Sequence, residues 1–169
     1  LVGLKTHSKI TLVVRREEDG IRRYLHLGTG NYNDSTAKIY TDVGLFTCNS
    51  QYGADASSLF NVITGYSRPP EYRHFVVAPH GMRAFFRRMI QNETENAKKG
   101  LPSGITAKVN SLVDPEIISL LYEASQAGVP VKLVVRGICC LIPGLEASVK
   151  TSRSSALWDS CWNTAGIQV

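Results

Sequence analysis

The chain is 169 residues long, 43% hydrophobic and 20% charged, a globular composition that excludes the disordered and collagen-like classes. Nineteen Lys and Arg outweigh fourteen Asp and Glu, and the surplus of five lies wholly in residues 1–100, so any polyanion-binding surface is expected there. The longest apolar runs are strand-sized, no secretory leader is visible, and Cys48, Cys139, Cys140 and Cys161 form neither a disulfide framework nor paired Cys-x-x-Cys zinc motifs. Reduced thiols in a cytoplasm are the simplest reading. The chain opens on Leu1 in mid-flow and is expected to be part of something longer.

In chain order, Lys9–Arg16 is β-branched and apolar and reads as a buried strand. Glu17–Gly20 ends in Asp-Gly, a hairpin turn signal, and Ile21–Leu27 is the returning strand. His26 reads as an ordinary residue of that strand. Gly28–Asn33 is a glycine-bearing loop, with Asp34–Ser35 able to cap a short helical turn. Ala54–Thr64 has helical spacing and stops at Gly65. Arg68–Glu71, with paired prolines, is the linker candidate.

A second pattern follows: a strand at Phe75–Ala78, a helix over Gly81–Lys99 with a basic face (Arg83, Arg87, Arg88), and a strand at Ile105–Val109. Asp114 before Pro115 is an N-cap with proline in the first helical position, opening a helix to about Ala127. Val131–Val135 is the last strand. Alternating strands and helices predict an α/β fold with parallel pairing. Cys139 and Cys140 are expected to pack in the core beside Arg136, and the basic helix face to be solvated or to help hold a polyanion.

Chemistry concentrates near the start. In His7-Ser8-Lys9 the spacing i, i+2 puts both side chains on one strand face. An imidazole can attack phosphorus while a neighbouring ammonium neutralises phosphoryl oxygens. Gly28-Thr29-Gly30-Asn31 can offer backbone N–H groups to a phosphate, and Asn31 adds an amide donor. His-x-Lys alone is weak evidence. His-x-Lys, hairpin and Gly-x-Gly-Asn in that order match the phospholipase D-like pattern.

Longer strings carry a more specific resemblance. Gly3–Lys9 (GLKTHSK), Arg22–Asn33 (RRYLHLGTGNYN), Tyr40–Thr47 (YTDVGLFT), Asn110–Ile118 (NSLVDPEII), Leu121–Val129 (LYEASQAGV) and Val135–Gly144 (VRGICCLIPG) resemble the phosphohistidine-forming polyphosphate kinase family over about residues 1–145. The resemblance implies parts of two phospholipase D-like α/β units. Residues 1–68 would end the first, catalytic one, and residues 69–145 would begin the second.

That resemblance implies reversible transfer of the ATP γ-phosphoryl group to polyphosphate through a phosphohistidine. His7 matches the phosphorylated histidine and Lys9 its His-x-Lys partner, while Tyr40 and Arg136 match ATP-contacting positions. It further implies Mg2+ whose ligands lie outside this chain, ATP or ADP and polyphosphate as partners, and no nucleic acid. A homo-oligomer in the intact family and a cytoplasmic location, peripherally membrane-associated at most, complete the expectation. The alternatives are an inactive truncated product and a phospholipase D-like phosphodiesterase. The latter class uses two His-x-Lys motifs, and His7-Ser8-Lys9 is the single one here.

Residues 146–169 depart from the family pattern and read as an aberrant tail, out of frame from about residue 147. Trp162 is encoded by TGG and Asn163 begins AA, so a one-base shift reads GAA, which is Glu. The following codons permit His, Ser and Arg, the Glu-His-Ser-Arg string of the family. With that histidine lost, the isolated chain is expected to be inactive.

Overall fold

The computed structural model describes residues 6–65 and 71–144. They form two compact units, the first running to Ala78 and the second starting at Pro79.

In the first unit, strands β1 (Lys9–Glu17) and β2 (Gly20–Gly28) form the hairpin that Asp19-Gly20 announces, paired antiparallel from Glu17↔Gly20 to Lys9↔Gly28. The chain then makes one helical turn, α1 (Asp34–Ala37), whose N-cap is Asn33 rather than the expected Asp34. Strand β3 (Gly44–Thr47) joins the other side of β2, giving the order β1-β2-β3. Helix α2 (Ser50–Ile63) begins a turn earlier than its apolar spacing suggests, because the Asn49 side chain accepts N–H bonds from Gln51 and Tyr52. The helix packs on part of one sheet face. Leu25, Leu27, Ala56, Leu59 and Phe75 are buried there, with Ile10 and Leu12 packed against them.

Two expectations are corrected in this unit. Strand β1 is not buried: Val13 and Val14 are 47% and 55% exposed. Among the described residues it pairs on one side only, and α2 covers only part of one face. Residues 75–78 do not form a strand either. The backbone N–H groups of Arg73, His74 and Phe75 donate instead to the buried carboxylate of Asp55, at 3.1, 2.7 and 3.0 Å. That carboxylate supplies the acceptors a neighbouring strand would have supplied. The segment's apolar side chains, Tyr72, Phe75 and Val77, join the core of the first unit. Of the expected linker, residues 68–70 lie outside the described residues, as does the tail from 146 onward.

The second unit follows its sequence pattern closely. Helix α3 (Met82–Lys98) leads to strand β4 (Ile105–Val109), helix α4 (Pro115–Gln126) and strand β5 (Val131–Val135). β4 and β5 pair in parallel from Ile105↔Val131 to Val109↔Val135, with α4 as the crossover. Asp114 caps α4, accepting from the N–H groups of Glu116 and Ile117 at 3.0 and 3.1 Å. Ile90 of α3, Leu121 and Ala124 of α4, and Val131 and Leu133 of β5 meet in one core.

Candidate active site

Within the first unit, Lys9 opens the hairpin and His7 lies two residues ahead of it. Lys9 Nζ lies 2.9 Å from Nε2 of His7, 3.3 Å from its Nδ1 and 3.0 Å from its carbonyl oxygen. The ammonium can only donate, so the ring nitrogen it meets is the acceptor. His7 is exposed.

Register adds what periodicity within one strand misses. Lys9 faces Gly28, Thr11 faces His26, and His26 in turn faces Phe46 of β3, so His26 shares a sheet face with Lys9. Its Nδ1 lies 2.7 Å from the hydroxyl of Tyr32, and its ring centroid 4.4 Å from that of Phe46. A second imidazole, oriented by a phenol, therefore stands on the same face as the lysine. Thr11, Val13, Tyr24, His26, Phe46 and Cys48 line a shallow groove of about 390 Å³ there. His7, Lys9, Asn31 and Tyr40 do not line it.

The glycine loop is tied to the segment carrying Tyr40. The hydroxyl of buried Thr29 donates to Asp42 Oδ1 at 3.0 Å and accepts from the N–H of Val43 at 3.0 Å. The Thr29 N–H donates to the Val43 carbonyl at 3.0 Å, so backbone donors for an anion are left to Gly30 and Asn31. A Cβ on Gly30 would collide with the Asp42 carboxylate, so this approach requires glycine. Asn31 is exposed, and its carbonyl accepts from Asn33 N–H at 2.8 Å. Tyr40, 37% exposed, follows α1 and donates its N–H to the Thr36 carbonyl at 3.1 Å. Neither Thr29 nor Asp42 was singled out by the sequence, since their bond spans thirteen residues.

In the second unit, Arg136 stands just past β5 and is exposed. Its Nε donates to Asn110 Oδ1 at 2.8 Å. The basic face of α3 is largely neutralised. Arg83 reaches both Asp114 and Glu116 at 3.0 Å, Arg87 reaches Glu116 at 3.4 Å, and Arg88 lies 5.5 Å from the centre of the Phe85 ring. Arg83 also helps hold the Asp114 carboxyl below its ordinary range, after the Ile117 N–H that it accepts. Cys139 and Cys140 are exposed, not packed in the core. Their backbone is tied in through the Leu112–Cys139 bridge and the Cys140 N–H to the Leu112 carbonyl, and the Cys139 thiol donates to the Leu141 carbonyl at 3.6 Å, while the Leu141 side chain takes the buried place.

No group of three or more His, Cys, Asp or Glu among the described residues could hold a metal ion. The magnesium implied by the resemblance therefore finds no cage in these residues. Among the described residues, no helix is long and apolar enough to cross a membrane.

Comparison with known proteins agrees with the motif strings. Residues 1–69 match the family model described as polyphosphate kinase C-terminal domain 1, and residues 75–159 match domain 2. The chain is 54% identical over 146 residues to a polyphosphate kinase of Lactiplantibacillus plantarum and 57% identical over 146 residues to one of Synechocystis. Each match covers 86% of this chain and 20% of the relative, so the chain spans about a fifth of the relatives' length. The crystal structure of polyphosphate kinase from Porphyromonas gingivalis superposes with a TM-score of 0.77 at 37% identity, over 86% of this chain and 24% of that one. The α/β architecture is thus that of the expected phospholipase D-like units. Both C-terminal family models, met in order along one chain, place it in the polyphosphate kinase family as a C-terminal part.

Proposed function

We propose that this chain carries the phosphohistidine step of a polyphosphate kinase. A ring nitrogen of His7 attacks the γ-phosphorus of ATP. The N–P bond forms as the bond from phosphorus to the β–γ bridging oxygen breaks, and ADP leaves. A terminal oxygen of polyphosphate then attacks the same phosphorus, the N–P bond breaks, and the polymer is one unit longer. Lys9 offsets charge on the phosphoryl oxygens in both halves, Tyr40 hydrogen-bonds a phosphate oxygen, and Arg136 and Asn31 contribute donors. Phosphoryl transfer depends mainly on positioning and charge neutralisation, which is what these groups offer.

The observation that carries this reading is the lysine ammonium 2.9 Å from the His7 ring nitrogen. Incubation of the purified chain with γ-labelled ATP and Mg2+ tests it. Acid-labile, base-stable label on the chain, lost in His7→Ala, is expected, and label that persists in His7→Ala refutes it.

A second reading is favoured by the span of the chain, about a fifth of its relatives. The piece alone would then be an inactive truncated product, and the same label would form only in a full-length, in-frame polypeptide carrying these residues. Sequencing the gene across residues 146–169 tests the out-of-frame tail; a reading that no one-base shift returns to Glu-His-Ser-Arg sinks it. Hydrolysis of a diester would favour a phosphodiesterase.

A further inference from the structure

We infer that Asn110 is a positioning residue that aims the Arg136 guanidinium at a phosphate chain without neutralising it. This rests on the phosphate-binding role proposed for Arg136. The two residues follow directly on the last paired positions of β4 and β5, Val109↔Val135, at the carboxyl ends of parallel strands. In open α/β sheets this edge is where ligands sit.

The backbone holds both residues there. Arg136 N–H donates to the Val109 carbonyl at 3.0 Å, and Gly137 N–H to the Asn110 carbonyl at 2.7 Å. A Cβ on Gly137 would stand 2.9 Å from that carbonyl oxygen, so the close approach depends on glycine. The Asn110 amide oxygen takes the Nε–H of Arg136 at 2.8 Å. A guanidinium has five N–H donors in a rigid fork, so fixing the one at Nε leaves the four on the two Nη atoms aimed together.

The choice of partner is the telling feature. Arg83 and Arg87 are oriented by carboxylates that cancel their charge. Among the described residues, no carboxylate pairs with Arg136; its orienting acceptor is a neutral amide. The arrangement keeps a full positive charge while restricting its direction, as recognition of a polyanion such as the end of a triphosphate or polyphosphate requires. An aspartate at position 110 would keep the geometry and forfeit the charge.

The test is titration of the full chain with inorganic tripolyphosphate at low salt, with circular dichroism as the control for folding. Asn110→Ala is expected to weaken binding about fivefold, the scale of one exposed charge-assisted hydrogen bond. Asn110→Asp should weaken it about tenfold or more despite retaining the hydrogen bond, because the new carboxylate competes with the ligand. In an Arg136→Ala background, Asn110→Ala should have no further effect, because the only bond it removes is the one to Arg136.

A merely structural Asn110 would show the reverse: Asp tolerated, and the alanine effect undiminished without Arg136. That pattern, or wild-type affinity in Asn110→Ala, overturns the inference. If Asn110→Ala does not fold, Asn110→Asp alone decides, since wild-type affinity there is equally fatal. Unsubstituted chain that binds no tripolyphosphate overturns the role of Arg136 itself, and the inference with it. Binding that ignores Asn110 sinks only the inference.

Discussion

Replacing Asp55 with alanine deletes the acceptor for three consecutive backbone donors, Arg73, His74 and Phe75. Asp55 is 5% exposed and Phe75 6%, so water cannot readily take over the Phe75 donor. Each hydrogen bond to a charged acceptor is worth about 1.5–3 kcal/mol, and each buried donor left without a partner costs about 1–3 kcal/mol. Arg73 and His74 are exposed and can turn to water, so the loss centres on Phe75 and part of the other two, about 3–4 kcal/mol in all. That is a large fraction of a small domain's stability. Asp55→Asn keeps one carboxylate-like oxygen; placed at Oδ2, it still accepts from His74 and Phe75, so its cost should be about 1–2 kcal/mol.

The same site sets a pH dependence. Burial pushes the Asp55 carboxyl up, but N–H donation from His74, Phe75 and Arg73, with the charge on His74, holds it below its ordinary 3.8 overall. The depressed value means stability that is complete above the unfolded value and is lost as pH falls through the folded one, below about 4. Urea denaturation at pH 7 and pH 3, with amide exchange at His74 and Phe75, reads both effects. An Asp55→Ala chain within about 1 kcal/mol of the parent, or an Asp55→Asn chain with the parent's acid sensitivity, would refute this account of residues 71–78.

Lys9→Ala should slow labelling of His7 by about 10- to 100-fold with Lys9→Arg partly restoring it, read as initial rates; an unchanged rate removes Lys9 from the chemistry. Thr29→Val strips two hydrogen bonds from the loop–Asp42 tie, and should cost about 2 kcal/mol and raise amide exchange at Val43 while Leu25 and Leu27 stay protected. Arg83→Ala should cost under about 1 kcal/mol, because its pairs with Asp114 and Glu116 are largely exposed, and the difference should shrink in high salt. Leu121→Ala, at 5% exposure in the core of the second unit, should cost about 2–5 kcal/mol in the same denaturant assay.

The elements legible in the sequence are those whose cause lies within a few residues. Asp114-Pro115 announces the start of α4, and Ile105–Val109 and Val131–Val135 are strands with the bounds their apolar runs mark. The β1–β2 hairpin that Asp19-Gly20 signals does form, with Glu18 and Asp19 as the turn residues between the paired Glu17 and Gly20. The pairing of His7 with Lys9 is also local, a matter of i, i+2 spacing. Strand β3 escaped notice because Gly44–Thr47 is short and three of its residues are exposed; only β2 makes it a strand.

By itself, then, the sequence determined the α/β class, the order of most elements and, through long motif strings, the family. It also singled out the His7–Lys9 pair. Only the tertiary structure decided which groups complete each other across distance. Asp55 reaches residues 18 to 20 positions away, Thr29 reaches Asp42, Arg136 reaches Asn110 across 26 positions, and α3 arginines reach acids at the start of α4. Periodicity and capping report on one turn of helix or one strand at a time. A carboxylate, amide or hydroxyl can instead satisfy any donor the fold delivers to it, and the delivery depends on strand register and helix packing. Exposure obeys the same logic: Val13 and Val14 are apolar enough for a core, yet remain exposed because no described element covers them.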